Sequence, residues 1–352
     1  MRRLVPAVGL FFLAPLVAEY LLGDIPITAL VGLIVLAPWY GGGALLIREV
    51  CRRAGWGWPG IIALALAFGV VEEGLLTQSL FNPDYAGKHL LAPGHISALG
   101  MGASWTVFVL TLHVIWSIGV PIATVELLSR KRPTTPWLGK IGLGVTAVLF
   151  AVGGVVTAAQ NYARFLFVAS AGQLAGTAVV AVLLVVLAVV LGRRRGTTAS
   201  RGGQVPSAWL LGLVSLVGTS AVTTLWYLAK DTMPSWLYVA LVLAASAVGI
   251  PLVRHWSRLS AWSRTHRLSL AAGALLTYAW QGFVTSHMLM PVSPAMTLIS
   301  HVVFALGALV LIAVTALRLG RGSGTRPATE AGHPPEAAPT TGAEGSTPAQ
   351  LH

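Results

Sequence analysis

The stretch from Gly60 to Phe81 reads GIIALALAFGVVEEGLLTQSLF, and it decides the class of fold. Its first twelve residues carry no charge, and the whole run has the ~20-residue length that an α-helix needs to cross a bilayer. Similar runs occur on both sides of it, at 4–22, 25–47, 103–128, 138–159, 165–191, 207–228, 236–252, 269–290 and 296–317. We therefore predict an all-α fold, a polytopic transmembrane helix bundle of about ten spans.

Composition agrees with this assignment. The mean hydropathy is +0.78 and only 10% of residues are charged, which is typical of an integral membrane protein. Residues 1–318 are predicted to form the transmembrane domain. Residues 319–352 are rich in Gly, Pro, Ala, Thr and Glu, and they predict a disordered cytoplasmic tail.

The basic residues predict the orientation. Twenty of the 23 Lys and Arg residues fall in alternate connecting segments, and the other segments hold only Lys88, Arg164 and Lys230. Because short basic loops resist translocation, the basic side is predicted to be cytoplasmic, with both termini there. The predicted location is the cytoplasmic membrane of the cell. The net charge of +12 indicates contact with anionic lipid headgroups in the bilayer rather than with nucleic acid, because the cations lie next to spans.

The acidic pair Glu72-Glu73 lies deep in its span. Eleven apolar residues precede it without a break, which puts it ~20 Å from the inner surface. One charged carboxylate at such a depth costs at least ~2.5–3.5 kcal/mol. Either one of the two carboxyl groups is therefore predicted to be protonated, or both are predicted to face a cation, a metal ion or a hydrated cavity. At 100° per residue, Glu72 shares a helix face with Ser79 and Glu73 shares one with Thr77. Glu126, near the inner end of its span, is expected to reach the cations at 130–132.

Other polar residues have similar predicted depths. His113 shares a helical stripe with Thr106, Ser117 and Thr124. We predict that these residues line one outer-facing polar cavity. Glu72, Glu73, His113 and His301 are candidate ligands of a divalent metal ion there. The predicted lining residues are Glu19, Glu72, Glu73, Gln78, Asn82, His113, His287 and His301.

The stretch Ala67–Leu76 resembles the first motif of the CPBP (Abi-type) intramembrane protease family. Members of that family carry a Glu-Glu pair in a span, followed by an Arg four positions after the second Glu and by histidines on later helices. The resemblance implies a metal-dependent hydrolase. Thr77 stands where the family has this Arg. The second motif of the family has Phe four residues before His, but Val109 holds that position before His113, and the matching pair Phe283 and His287 lies too far downstream. The third motif has a polar residue four residues after His, but Ala305 holds that position after His301. The segment Gln78–Pro83 also resembles an uncharacterised bacterial multi-pass membrane protein family.

Three functions fit these residues, and whether the protein is an enzyme is left open. The first is a transporter or permease, in which the acidic pair and the histidines couple protons or cations. The second is the CPBP-like intramembrane hydrolase, which needs at least three metal ligands around one point. The third is a non-catalytic membrane scaffold. Two histidines within 3–4 Å of the glutamates would favour a metal, whereas a polar tunnel past His113 would favour transport. A separation above ~12 Å would exclude any direct link between His113 and the pair.

Overall fold

The computed structural model describes residues 4–129, 134–193, 202–284, 290 and 292–320. Within these residues the chain forms ten long helices. In chain order they are α1 (Leu4–Leu21), α2 (Ile27–Arg53), α3 (Trp58–Leu76), α4 (Ala103–Leu128), α5 (Lys140–Phe165), α6 (Ala171–Arg193), α7 (Ala208–Asp231), α8 (Ser235–Trp256), α9 (Arg264–Gln281) and α10 (Pro294–Gly320). A short antiparallel pair, β1 (His95–Ile96) and β2 (Met101–Gly102), lies in the loop between α3 and α4. The predicted all-α bundle is confirmed.

In the described part of the chain, nine of these helices are long and apolar enough to cross a membrane. The tenth, α9, has 18 residues and a lower hydropathy, because its first turn carries Arg264, His266 and Arg267. It corresponds to the predicted span 269–290 but begins earlier. The predicted tail lies almost entirely outside the described residues, since α10 ends at Gly320.

Burial divides the helices into two groups. In α1 to α4, between 44 and 61% of the residues of the apolar window are buried, against 11 to 17% in α5 to α8 and α10. The apolar side chains of the second group are largely exposed, as expected for helices that face lipid. The first four helices therefore form the interior of the bundle together with α9, in which nine of 18 residues are buried. Helix α9 contacts α4, α7 and α10, and helix α3 packs along α6.

One end of the bundle, which we call the basic end, collects the arginines that end α2 and begin α9. Glu126 on α4 accepts hydrogen bonds from Arg52 Nε and Nη2, both at 2.7 Å, and from Arg48 Nε at 3.2 Å. Arg264 Nη2 donates to the carbonyl of Leu127, 2.7 Å away. The end of α2, the end of α4 and the start of α9 thus meet, as the alternation of basic segments predicts.

Glu126 has partners that the sequence did not predict. Its partners are Arg48 and Arg52 on a neighbouring helix, and its side chain is only 2% exposed. The cations at 130–132 lie outside the described residues. Arg48 and Glu49, which the sequence places at the end of a span, are themselves fully buried. Glu49 accepts hydrogen bonds from the backbone amides of Trp137 and Leu138, so it fastens the loop before α5 to the basic end.

Candidate functional site

His113 lies between the two glutamates of α3. Its Nε2 is 2.7 Å from Glu73 Oε1, and its Nδ1 is 3.2 Å from Glu72 Oε2. All three side chains are buried, with 2 to 7% of their surface exposed. One ligand atom from each residue lies within 4.8 Å of the other two, which is close enough for the three to share one ion. We call Glu72, Glu73 and His113 the Glu–Glu–His cluster.

Hydroxyl groups surround this cluster. Glu73 Oε2 accepts hydrogen bonds from Thr77, at 3.1 Å, and from Ser79. Trp105 Nε1 donates to Ser79 Oγ at 3.0 Å and so fixes that hydroxyl. Ser117 Oγ lies 3.1 Å from His113 Nδ1. The expected Glu73–Thr77 and His113–Ser117 pairs are therefore present, whereas Ser79 meets Glu73 instead of Glu72.

The position of Ser79 has a structural reason. Regular α-helical geometry predicts its pairing with Glu72, but residues Glu72–Leu76 form a wider π-helical turn and the helix ends there. The chain then turns at Gln78, whose φ of 54° is left-handed. This turn carries Ser79 back to Glu73.

The contact between His113 and Glu72 is electrostatic rather than an aligned hydrogen bond. Glu72 Oε2 has no hydrogen-bond partner among the described residues, although it lies 3.2 Å from Nδ1. The Tyr40 hydroxyl donates instead to the other oxygen, Glu72 Oε1. Glu72 is therefore the less fully satisfied of the two carboxylates, and its free oxygen faces the imidazole.

Tyr40 extends the cluster to α1. Its hydroxyl interacts with the Glu19 side chain as well as with Glu72. A phenol has one proton to donate, and the Tyr40 hydroxyl donates it to Glu72. The polar groups therefore form a continuous series, Glu19–Tyr40–Glu72–His113–Glu73, that joins α1, α2, α3 and α4. Tyr40 was not predicted from the sequence, because a tyrosine in a span is usually a packing residue.

Every member of this series lies on a π-helical segment. These segments are Leu16–Leu21, Ala37–Gly41, Glu72–Leu76 and His113–Gly119. π-Helical turns are rare and are frequently found at functional sites. Proline accounts for three of them, since Pro15 precedes the first, Pro38 lies within the second and Pro121 comes two residues after the fourth, and each proline lacks a backbone donor. These prolines are the signal in the sequence that could have identified the site.

The other predicted residues lie elsewhere. Gln78 Oε1 accepts from the amide of Ala169, and Asn82 Oδ1 accepts from the amide of Asp84, so both side chains hold loops. His301 packs against Gly23 and Gly282 and lines an open groove with Phe283 and Thr297. His287 lies outside the described residues. Of the predicted histidines, the structure brings His113 to the glutamates.

Electrostatics defines what the cluster can do. Two carboxylates and one imidazole share a buried space, so even a protonated imidazole leaves an excess of one negative charge when both carboxylates are ionised. A second proton or a cation must offset that charge, because an unpaired charge in the membrane interior is costly. The cluster is thus able to bind either a proton or a cation.

Together, the fold and the site define a multi-pass α-helical membrane protein with buried acidic groups and a histidine between its inner helices. The chain belongs to the family described as Uncharacterized membrane protein family, whose model matches residues 9–328. The matching family is not the CPBP family that the acidic motif resembles. Comparison with curated proteins and with solved structures gives no match.

Proposed function

We propose that the protein is a transporter that exchanges a cation for protons at the Glu–Glu–His cluster. The observation that carries this proposal is the position of His113, whose two ring nitrogens each face a different buried carboxylate. Because a cation needs ionised carboxylates and a neutral imidazole as ligands, its binding releases protons from the same groups. The two ligands compete for one site, which is the requirement for exchange.

The series from Glu19 to Glu73 supports a route for those protons. The Tyr40 hydroxyl donates to Glu72, so once it turns toward Glu19 it can accept a proton from a protonated Glu72 while it passes its own proton to Glu19. Tyr40 stays neutral in this relay, and the negative charge moves from Glu19 to Glu72. Asp24 follows Glu19 after the last turn of α1, and the two carboxyl groups interact. We propose that this route opens on the side opposite the basic end. The basic end then faces the cytoplasm and anionic headgroups, and the host membrane is the cytoplasmic membrane.

Proteoliposomes test the exchange. Purified protein is reconstituted with a pH-sensitive dye inside, and gradients of Na⁺, K⁺, Mg²⁺, Mn²⁺ or Zn²⁺ are imposed in turn. We expect at least one cation to drive proton movement, and we expect Glu73→Gln to abolish it while membrane insertion is retained. Asp84→Asn is the matched control, because Asp84 is an exposed carboxylate that lies outside the cluster. Proton movement absent with all five cations, or equal in wild type and Glu73→Gln, contradicts the proposal.

A second candidate is a metal-dependent intramembrane hydrolase, which the 4.8 Å grouping of three ligand atoms favours. Glu72, Glu73 and His113 would hold the ion, and the ion would polarise a water molecule. This alternative has one histidine where the sequence criterion asked for two. Metal content distinguishes the two functions. At neutral pH a hydrolase keeps about one ion per chain through dialysis and loses it in Glu72→Gln/Glu73→Gln, whereas an exchanger, which must release its ion in every cycle, loses it in the same dialysis.

A further inference from the structure

Five arginines surround two carboxylates at the basic end, far along the helices from the Glu–Glu–His cluster. Glu49 and Glu126 supply two negative charges, so the group has an excess of three positive charges. The arginines are Arg48, Arg52, Arg53, Arg264 and Arg267. Arg53 is exposed and reaches solvent, whereas Arg48 is buried and the other three are half-buried, so part of this excess charge lies where an anion would offset it.

The two carboxylates are already engaged. Both oxygens of Glu126 accept from Arg52, and one of them also accepts from Arg48. Glu49 accepts from Arg48 at 2.5 Å and from the amides of Trp137 and Leu138. The hydrogen bonds of both carboxylates therefore go to the arginines of α2 and to the loop before α5, and none is made to the arginines of α9 among the described residues.

Arg264 and Arg267 are incompletely satisfied. Their Nε atoms are shielded from solvent and have no hydrogen-bond partner among the described residues. Arg264 makes one backbone contact, with Leu127, while Arg267 lies within electrostatic reach of Glu126, Arg52 and Arg264. The two residues are three apart in the first turn of α9, so their side chains leave the same face of the helix.

We propose that Arg264 and Arg267 bind a phosphate group at the start of α9. A guanidinium group presents paired N–H donors that match phosphate oxygens, and the amides at the start of a helix add further positive potential. The phosphate can come from a phospholipid headgroup or from free inorganic phosphate. The site lies where apolar spans end, which is the depth of headgroups and favours the lipid. This inference does not depend on the proposed exchange.

Native mass spectrometry of the whole protein in a neutral detergent tests the site. The probes are phosphatidylglycerol, a diacylglycerol with the same acyl chains but no phosphate, and inorganic phosphate. We expect the wild type to retain about tenfold more phosphatidylglycerol than diacylglycerol, and we expect Arg267→Gln to reduce that retention about tenfold, the usual effect of losing a charged hydrogen bond. Release of the lipid by inorganic phosphate would identify free phosphate as a ligand, whereas retention despite phosphate would identify the headgroup.

Arg258→Gln is the matched control, because Arg258 is exposed in the short segment between α8 and α9. It should retain the lipid as the wild type does. Arg267→Lys keeps the positive charge but lacks the paired N–H donors, so it should retain an amount of phosphatidylglycerol between those of the wild type and Arg267→Gln. This variant also tests the site if Arg267→Gln fails to fold. Equal retention of the two lipids by the wild type, or equal losses in Arg258→Gln and Arg267→Gln, overturns the proposal.

Discussion

At the scale of single residues, His113 is the group on which the buried site depends. It supplies the positive or hydrogen-bonding partner for both glutamates, and Tyr40, Thr77 and Ser79 supply neutral donors only. Removing one partner of a buried ion pair lowers stability more than replacing both partners by apolar residues does, because the remaining charge stays desolvated. The consequences of removing His113 can therefore be predicted.

We expect His113→Ala to destabilise the protein by ~3–5 kcal/mol at neutral pH, because two buried carboxylates lose their partner. The loss should be smaller at low pH, where the carboxylates can take up protons from solution instead. Thermal unfolding of purified protein in detergent at a series of pH values measures the effect. His255→Ala, at an exposed position near the end of α8, is the control. A loss of stability that grows as the pH falls would contradict the assignment.

Asp24, in the turn between α1 and α2, is a second group on which the pH dependence of stability is expected to depend. Burial and the nearby Glu19 carboxylate raise the pKa of Asp24 well above its ordinary value of 3.8, and its Oδ1 has no partner among the described residues. A carboxyl group whose pKa rises on folding stabilises the protein below the unfolded pKa, and that contribution is lost as the pH rises through the folded value. At neutral pH the ionised form therefore opposes folding.

We accordingly expect Asp24→Asn to raise the thermal unfolding temperature at pH 8, and we expect the difference from the wild type to vanish below about pH 4, near the ordinary pKa of the group. A stability difference that is the same at all pH values would show that the carboxyl group does not titrate between the two states. In proteoliposomes the same variant should slow proton movement if Asp24 continues the route from Glu19.

The sequence allowed the Glu–Glu–His cluster to be anticipated because depth alone restricts where an intramembrane acid can find a partner. Hydropathy gave Glu72, Glu73 and His113 a common depth, and the structure brings them into contact. Depth does not specify which helices are neighbours, so His301, which packs against Gly23 and Gly282, was grouped with Glu72, Glu73 and His113. Tyr40 and Glu49 were missed because hydropathy does not identify which polar side chains pair across helices.

At the scale of helices, the approach of α3 to α4 sets the geometry of the site. A Cβ atom added to Gly69 would lie 3.0 Å from His113 Cβ and 3.2 Å from Leu110 Cδ2. The absence of a side chain at Gly69 therefore permits His113 to reach the glutamates. Regular helical periodicity predicts the helices well, but it does not predict the four π-helical turns, because these depend on proline and on packing between helices.

We expect Gly69→Ala to lower the unfolding free energy by up to ~2 kcal/mol, since overpacking costs ~1–3 kcal/mol and alanine returns ~1 kcal/mol of helix propensity. Cation-driven proton movement should fall with it, because His113 is displaced from Glu73. Gly218→Ala is the matched control, since no heavy atom lies within 4 Å of a Cβ atom added there in the middle of α7. It should raise stability by ~0.5–1 kcal/mol. An increase in stability for both variants would contradict the close approach.

At the scale of the whole molecule, helices α1 to α4 and α9 form a polar-centred interior, and the more apolar helices α5 to α8 and α10 are the more exposed ones. The sequence predicted the number of long helices because each is a separate apolar run with a basic or polar boundary. It did not predict which helices lie inside, since α6 and α10 are more apolar than α3 and yet lie outside. In a membrane, apolar side chains suit the lipid-facing surface, so the interior is marked by the helices that carry polar groups.

The orientation of this bundle is the last prediction. The ends of α2 and α4 and the start of α9 meet at the basic end, so one side of the membrane receives most of the cations. Because short basic loops resist translocation, we expect reporter fusions at Arg132, at Arg195 and after His352 to be cytoplasmic, with fluorescent green fluorescent protein and inactive alkaline phosphatase. Fusions near Lys88 and Lys230 should give active alkaline phosphatase, since those segments carry single cations. Two reversed signals among the five positions would exclude ten spans with both termini inside. The arginine site and the opening of the proton route would then have to be assigned to the opposite sides of the membrane.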